Sequence, residues 1–310
     1  MRKVKILFLG GAKRVSIAEQ FIASGKLLNL EVEIFGYELS DMVPLASVGQ
    51  IIIGEKWNSD AIFNHLQETI DLYEINILLP FVDPATKVLA ELKEKTGSVY
   101  IPVSSKLSCE IFFDKRKSND WFITNDFPVP GYVKNQFPKI AKPINGSASQ
   151  GLIIMNDKSA LDKFTTEKDI EQYLVQNFIN GKEYTVDCFI GQDLEVKSIV
   201  PRIRLETSGG EVVKSMTVKH EAIEKLSREI IDKADFVGPI TIQFLEDEKG
   251  VYLMEINPRY GGGVLASIEA GANSPESILK EYIGLEVLEM TNWKSNLVMM
   301  RANREFYKQL

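Results

Sequence analysis

Three oxygen-bearing side chains stand at spacings that suit a hard cation: Gln243 in the run Ile240 to Phe244, and Glu255 and Asn257 in the run Val251 to Arg259. Apolar residues alternate with others on both sides of Asp247-Glu248-Lys249-Gly250, a turn-forming cluster with a glycine for positive φ. The stretch therefore reads as a β-hairpin. Glu255 and Asn257 lie two apart on the second strand and emerge on one face. A three-residue loop over 248–250 pairs Gln243 opposite Glu255 and brings it onto that face. Any one of these side chains alone could decorate a solvated strand. Together they are the oxygen donors that magnesium-like ions take. Arg259 follows Pro258 as a fixed positive charge, and Gly261-Gly262-Gly263 leads into a helix over Val264 to Ala270, whose N-terminus favours anions.

A second group of residues is suited to phosphates. Lys139 to Pro143 reads as a short strand with Lys142 near its end, followed by the small-residue loop Asn145 to Gly151. Small residues let backbone N–H groups approach phosphate oxygens, and an adjacent lysine supplies a point charge. No Gly-Lys-Ser/Thr sequence closes the loop, so it is not a Walker A loop. Further on, Arg202 and Arg204 share one face of a strand. Their guanidinium forks could hold a carboxylate or orient an acyl phosphate, or pair with Glu206 or Glu211.

The elements that must position these groups begin with alternating strands and helices over the first hundred residues. Strands are expected at Lys5–Leu9, Glu31–Tyr37, Gln50–Ile53, Ile75–Phe81 and Val99–Val103, with helices at Val15–Ala23, Ala61–Tyr73 and Pro84–Lys95. That order implies a parallel sheet with helices on both faces. Ligands of such sheets sit beyond the carboxyl ends of the strands, where Gly10 to Arg14 and Phe81 to Pro84 lie. Gly10-Gly11 lacks the third spaced glycine of a dinucleotide fingerprint. A net charge of −7 argues against a general nucleic-acid binder. No run approaches a membrane span. Two cysteines and two histidines give no metal spacing and fit a reduced, cytoplasmic setting.

The hairpin, with Glu-x-Asn-Pro-Arg and the following glycines, resembles the metal-binding hairpin of ATP-grasp enzymes, particularly the carbamoyl-phosphate synthetase large-chain group. The resemblance implies a mixed α/β and α+β fold. An N-terminal Rossmann-like domain would cover 1–104 and an ATP-grasp domain 105–310, with a lid inserted at about 126–178. It further implies ATP with Mg²⁺, or Mn²⁺ in its place, held by Gln243, Glu255 and Asn257. Lys115 and Lys142 become phosphate ligands, and Gly146, Ser147, Ser149 and Gly151 the loop that covers the phosphates. The connection through Gln176, Asn177, Phe178 and Ile179 would hold the adenine, with Ile140, Val175 and Phe178 available to flank it, and Glu183 the ribose. Arg259 would touch the transferred phosphoryl group, and Arg202 and Arg204 the acceptor. Lys13, Arg14 and Asp83 fall on the substrate side.

On this basis the expected activity is an ATP-dependent carboxylate–amine ligase working through an acyl phosphate. Its partners are small-molecule carboxylate and amine substrates, neither nucleic acid nor membrane, with a homodimer expected by analogy. Phosphorylation of bicarbonate or carbamate, and a non-catalytic ATP-binding subunit, are the alternatives.

Overall fold

The computed structural model describes residues 1–146 and 151–308. The first part comprises β1 (Arg2–Leu9), α1 (Val15–Leu27), β2 (Leu30–Glu38), β3 (Gln50–Ile53), α2 (Ile62–Tyr73), β4 (Ile77–Pro80) and α3 (Asp83–Lys95). Its four strands are parallel in the order β3-β2-β1-β4. The chain moves outward from β1 to β3 and then returns to the other side of β1. The β1/β4 boundary is therefore the switch point of the sheet, where the loops after neighbouring strands part and leave a crevice. The loops at that crevice are the two expected from sequence, after Leu9 and after Pro80. Gly10 has φ of 69° and packs so closely on Val82 that a Cβ there would lie 2.5 Å from its Cγ2.

The expected strand at Val99–Val103 reduces to one bridge between Tyr100 and Ile77. Pro102 has no N–H to extend the ladder, so the segment passes on as irregular chain.

Next come α4 (Lys106–Phe112), α5 (Lys115–Thr124), β5 (Lys139–Pro143), β6 (Ile153–Met155), α6 (Lys158–Glu167) and β7 (Tyr173–Asn177). Asp114 caps α5 by accepting from the backbone N–H of Arg116 and Lys117, which sets Lys115 at its first turn. β6, β5 and β7 form a small antiparallel sheet with a core of its own around Ala141, Met155 and Phe164. Val175 packs beside that core, which removes it from the expected purine contacts.

The remainder is β8 (Lys182–Ile190), β9 (Val196–Ser208), β10 (Glu211–Thr217), α7 (Glu221–Ile231), β11 (Gly238–Asp247), β12 (Gly250–Asn257), α8 (Leu265–Glu269), α9 (Ser274–Tyr282) and β13 (Val298–Met300). Its six strands run in the order β12-β11-β8-β9-β10-β13. One face is apolar: Val186, Cys188, Ile240, Ile242, Phe244 and Ile256 form a core together with residues of α4, α5 and α7. The other face carries the polar residues described next. Among the described residues no helix is long and apolar enough to cross a membrane.

Candidate active site

The hairpin turn differs from the expected one, yet the registry at the site is the same. Asp247 pairs with Gly250 across a two-residue turn, and an irregularity between Gln243 and Phe244 then adds one residue, Met254, to β12. This β-bulge restores the pairing of Gln243 with Glu255 and of Thr241 with Asn257. A two-residue turn without the bulge would set Met254 opposite Gln243 and put Glu255 on the other face.

The row extends across the sheet. Arg202 pairs with Thr185, Thr185 with Gln243, and Gln243 with Glu255. One step along, Asp187 pairs with Thr241 and Thr241 with Asn257. Side chains two apart on a strand share a face, so Glu183, Thr185, Asp187, Arg202, Arg204, Thr241, Gln243, Glu255 and Asn257 all rise from one side of the sheet.

Two cavities lie over this face. One, of about 320 Å³, is lined by Lys115, Ile140, Lys142, Gly146, Phe178, Ile179, Glu183, Leu245 and Met254, among others. The other, of about 330 Å³, is lined by Arg14, Asp83, Arg202, Arg204, Asn257, Arg259 and Gly261 to Gly263, among others. Gln243 and Glu255 line both, so the cavities meet at the central pair of the hairpin.

In the first cavity, Lys115 donates to the Gly146 carbonyl at 2.7 Å, and its Nζ stands 3.8 Å from Glu255. Lys142 is buried and donates to Gln176 Oε1 at 3.1 Å, while Gln176 Nε2 donates to Asn119 Oδ1 at 2.8 Å. Burial is the main force that pushes the Lys142 pKa down to about 8, with Glu255 opposing the shift and Lys115 adding to it. Ile140, Leu152, Phe178, Ile179 and Leu245 give the lining an apolar part that suits a flat ring, and Glu183 lines the same cavity.

Gln176 and Asn177 do not line this cavity. Gln176 orients Lys142, and Asn177 accepts from Lys139 Nζ at 3.3 Å and from the Val133 N–H at 3.2 Å. Both are buried, on opposite faces of β7: Gln176 pairs with Ile140 and bonds Lys142, and Asn177 pairs with Lys139. Gly151 stands against Pro143, outside the lining. Ser147 and Ser149 lie outside the described residues.

In the second cavity each sheet arginine has its own carboxylate. Arg202 is almost wholly buried and donates through Nε and Nη2 to Asp187, at 2.6 and 3.0 Å. Ser267 donates to the same carboxylate at 2.5 Å. Arg204 pairs with Glu183 and donates to the Gly210 carbonyl at 3.0 Å, and its Nε is buried without a partner among the described residues. The partners Glu206 and Glu211, open from sequence, are taken by Lys214 and Arg301. Arg259 pairs with Asp83 at the start of α3, and its Nη2 lies 3.4 Å from Asn257 Oδ1. Gly263 lets the chain pass over Arg202, since a Cβ there would meet its Nη1 at 2.5 Å.

Sequence reasoning missed Asp187 as the partner of Arg202, although its period on β8 matches Glu183. Leu245 carried the same signal, two residues beyond Gln243. Met254 had none, because only the bulge turns it into the cavity.

Gln243, Glu255 and Asn257 present hard oxygens on one face, with a single carboxylate among them. Among the described residues no three His, Cys, Asp or Glu side chains cluster as a metal cage. The donor set fits magnesium, which binds through one or two carboxylates and completes its shell on water and substrate phosphates.

Residues 169–305 match the family described as "ATP-grasp in the biosynthetic pathway with Ter operon". Over those residues the chain carries an ATP-grasp domain. Two curated relatives point the same way. A D-alanine–D-alanine ligase from Aquifex aeolicus is 25% identical over 165 residues, 49% of this chain and 56% of that protein. A carbamoyl phosphate synthase large chain from Clostridium perfringens is 29% identical over 137 residues, 40% of this chain and 13% of that protein. The matches thus span about half of the first relative and a small part of the second. Among solved structures, the N5-carboxyaminoimidazole synthetase of Staphylococcus aureus, complexed with ADP, superposes with a TM-score of 0.77 at 16% identity. That likeness covers 97% of this chain and 83% of the synthetase, and it is one of fold. A parallel sheet followed by antiparallel sheets is the arrangement the chain shares with that synthetase.

Proposed function

We propose that the protein is an ATP-dependent carboxylate–amine ligase that works through an acyl phosphate. The observation that supports this reading best is the junction of the two cavities at Gln243 and Glu255. A pocket lined by lysines and apolar side chains opens on one side, and an arginine-lined pocket on the other. A phosphoryl donor and its acceptor would thus meet over the hairpin.

In this reading ATP lies in the first cavity, with adenine against Ile140, Phe178 and Leu245 and the ribose near Glu183. Lys115 and Lys142 hold the phosphates. Gln243, Glu255 and Asn257 would hold magnesium, which offsets phosphate charge and brings the γ-phosphoryl group toward the acceptor. The acceptor carboxylate enters the second cavity. Its oxygen attacks the γ-phosphorus, the bond to the β-phosphate oxygen breaks, and ADP and an acyl phosphate result. The neutral amine then attacks the acyl carbon, phosphate leaves, and the nitrogen proton passes to phosphate or solvent. Arg259 and the arginines anchored by Asp187 and Glu183 stabilise negative charge on the acceptor side without reorganising.

No protein nucleophile is required. Cys109 and Cys188 are buried, and burial raises both thiols above their ordinary pKa, which suits them to packing rather than attack. His220 caps α7 and bonds Glu246, so it is committed elsewhere.

ADP release measured against panels of carboxylates and amines tests the proposal. Release that needs both a carboxylate and an amine supports it. Release driven by bicarbonate alone would move the reading to carboxyphosphate chemistry. Nucleotide binding without release under any combination would leave a binding subunit.

A further inference from the structure

Pairing the charges around the acceptor cavity leaves one cation over. Arg202 is taken by Asp187, Arg204 by Glu183 and Arg259 by Asp83. Of the remaining acids on the lining, Glu211 takes Arg301 at 3.2 Å and Glu255 stands near Lys115. Arg14 lines the same cavity, yet among the described residues it has no carboxylate within ion-pair distance and no side-chain hydrogen bond. It comes from the loop after β1, on the wall made by the first sheet, with its guanidinium carbon 5.9 Å from the centre of the Phe81 ring.

Arg14 is also an uncomfortable charge. Burial and the nearby Arg259 and Arg301 push its pKa down to about 10, and Glu211 offsets them only in part. Arg14 is half-buried, and a partly desolvated charge without a partner is one that a ligand anion would relieve. Lys142 is the corresponding unpaired cation in the nucleotide cavity. Among the described residues, each cavity thus keeps one positive charge with no carboxylate within ion-pair distance.

We infer that Arg14 anchors a carboxylate of the acceptor-side substrate other than the one that is activated. The activated group has to lie at the Gln243–Glu255 junction, which both cavities share, whereas Arg14 comes from the loop after β1 and lines only the acceptor cavity. A guanidinium fork matches a carboxylate in shape, and a single unpaired charge matches a monoanion. A phosphate dianion would leave surplus negative charge beside Asp83, Glu211 and Glu255. The substrate class is then an acid–amine pair that brings two carboxylates in all. The second one belongs either to the amine, as in an amino acid, or to the acid, as in a dicarboxylate. The assignment to two carboxylates rests on the ligase reading; the anion site itself rests on the cavity.

The test compares the wild type with Arg14→Gln and Arg14→Lys, using L-alanine against L-alaninamide and succinate against succinamate. Calorimetric titration of each compound onto the protein with MgADP reads binding without turnover. The expected result is that the carboxylate of one pair binds about 10–100-fold tighter than its amide in the wild type, and that Arg14→Gln removes the difference. Preference for L-alanine assigns the second carboxylate to the amine, and preference for succinate assigns it to the acid. Arg14→Lys, with the charge but not the fork, should keep part of the preference. Ligand-free Arg14→Gln should melt no lower than the wild type, because a merely structural arginine would lower the melting temperature on removal. Equal carboxylate preference in the wild type and Arg14→Gln would overturn the inference, and so would a panel in which no carboxylate binds better than its amide. If Arg14→Gln does not fold, loss or retention of the preference in Arg14→Lys decides in the same way. The titration also separates the two claims. Arg14-dependent binding without amine-dependent ADP release would sink the ligase reading alone, and amine-dependent release with an unaltered Arg14→Gln would sink this one alone.

Discussion

At the scale of single residues, the site depends on charges kept in deliberate imbalance. Lys142 is the clearest case. Its folded pKa of about 8 lies below the ordinary 10.5, so between those values the unfolded chain holds a proton that the folded chain does not. Unfolding then takes up a proton, and this lysine's contribution to stability improves as pH rises through that window. Below about 8 the folded protein carries the full cost of the buried charge. Thermal melts of the ligand-free protein should therefore show a component that rises from pH 8 to 10.5 and is missing in Lys142→Met. Nucleotide affinity should run the other way, weakening as Lys142 loses its proton, and Lys142→Met should flatten that dependence. Glu255→Gln makes the complementary case at the junction. It keeps the shape and removes the only carboxylate of the metal set, so ADP release should fall by about 100-fold or more with the melting temperature preserved. Full turnover in that variant would remove the metal assignment.

At the scale of elements, the hairpin and the glycine loop set the geometry. Gln243, Glu255 and Asn257 were legible from sequence because strand alternation has a period of two. The turn was not, since a two-residue turn with a bulge and a three-residue loop give the same pairing at Gln243. Lys115 was placed by the family resemblance alone, and the Asp114 cap that sets it at the start of α5 is visible only in the structure. Gln176 and Asn177 were set in the nucleotide cavity, whereas burial in the small sheet makes one of them a support for Lys142 and the other a support for Lys139. Pairings such as Arg202–Asp187 depend on which strands become neighbours, and that is set by the order of the sheet rather than by local pattern. The glycine loop yields its own test. In Gly263→Ala the new methyl would press on Arg202 Nη1, so acceptor KM should rise about tenfold or more while KM for ATP stays near its wild-type value. An equal change in both constants would point to general disruption.

At the scale of the molecule, the first sheet and the large sheet share a core. Phe8, Phe21 and Phe81 pack in one cluster with Phe189, Tyr260, Ile268 and Leu279, and Phe81 stacks on Tyr260 at 5.8 Å between ring centres. Asp83 pairs with Arg259 across the same boundary and ties two walls of the acceptor cavity together. The small sheet has a separate core and meets α5 through polar contacts such as Arg116 with Glu171 and the Tyr173 carbonyl. Elements with few apolar contacts to the rest open at low free energy. Amide exchange over Lys139–Pro143 and Tyr173–Asn177 should slow on addition of ATP and magnesium, with β1 and β4 little changed. Uniform slowing across the chain would argue against a nucleotide clamp built on the small sheet.

The most direct test of phosphoryl transfer across the Gln243–Glu255 junction follows one oxygen atom. A carboxylate that supports ADP release, carrying ¹⁸O at both carboxyl oxygens, is turned over with its amine, and the phosphate released is weighed by mass spectrometry. An acyl phosphate route delivers one labelled oxygen to each phosphate. Unlabelled phosphate formed at the full rate of ligation would contradict it.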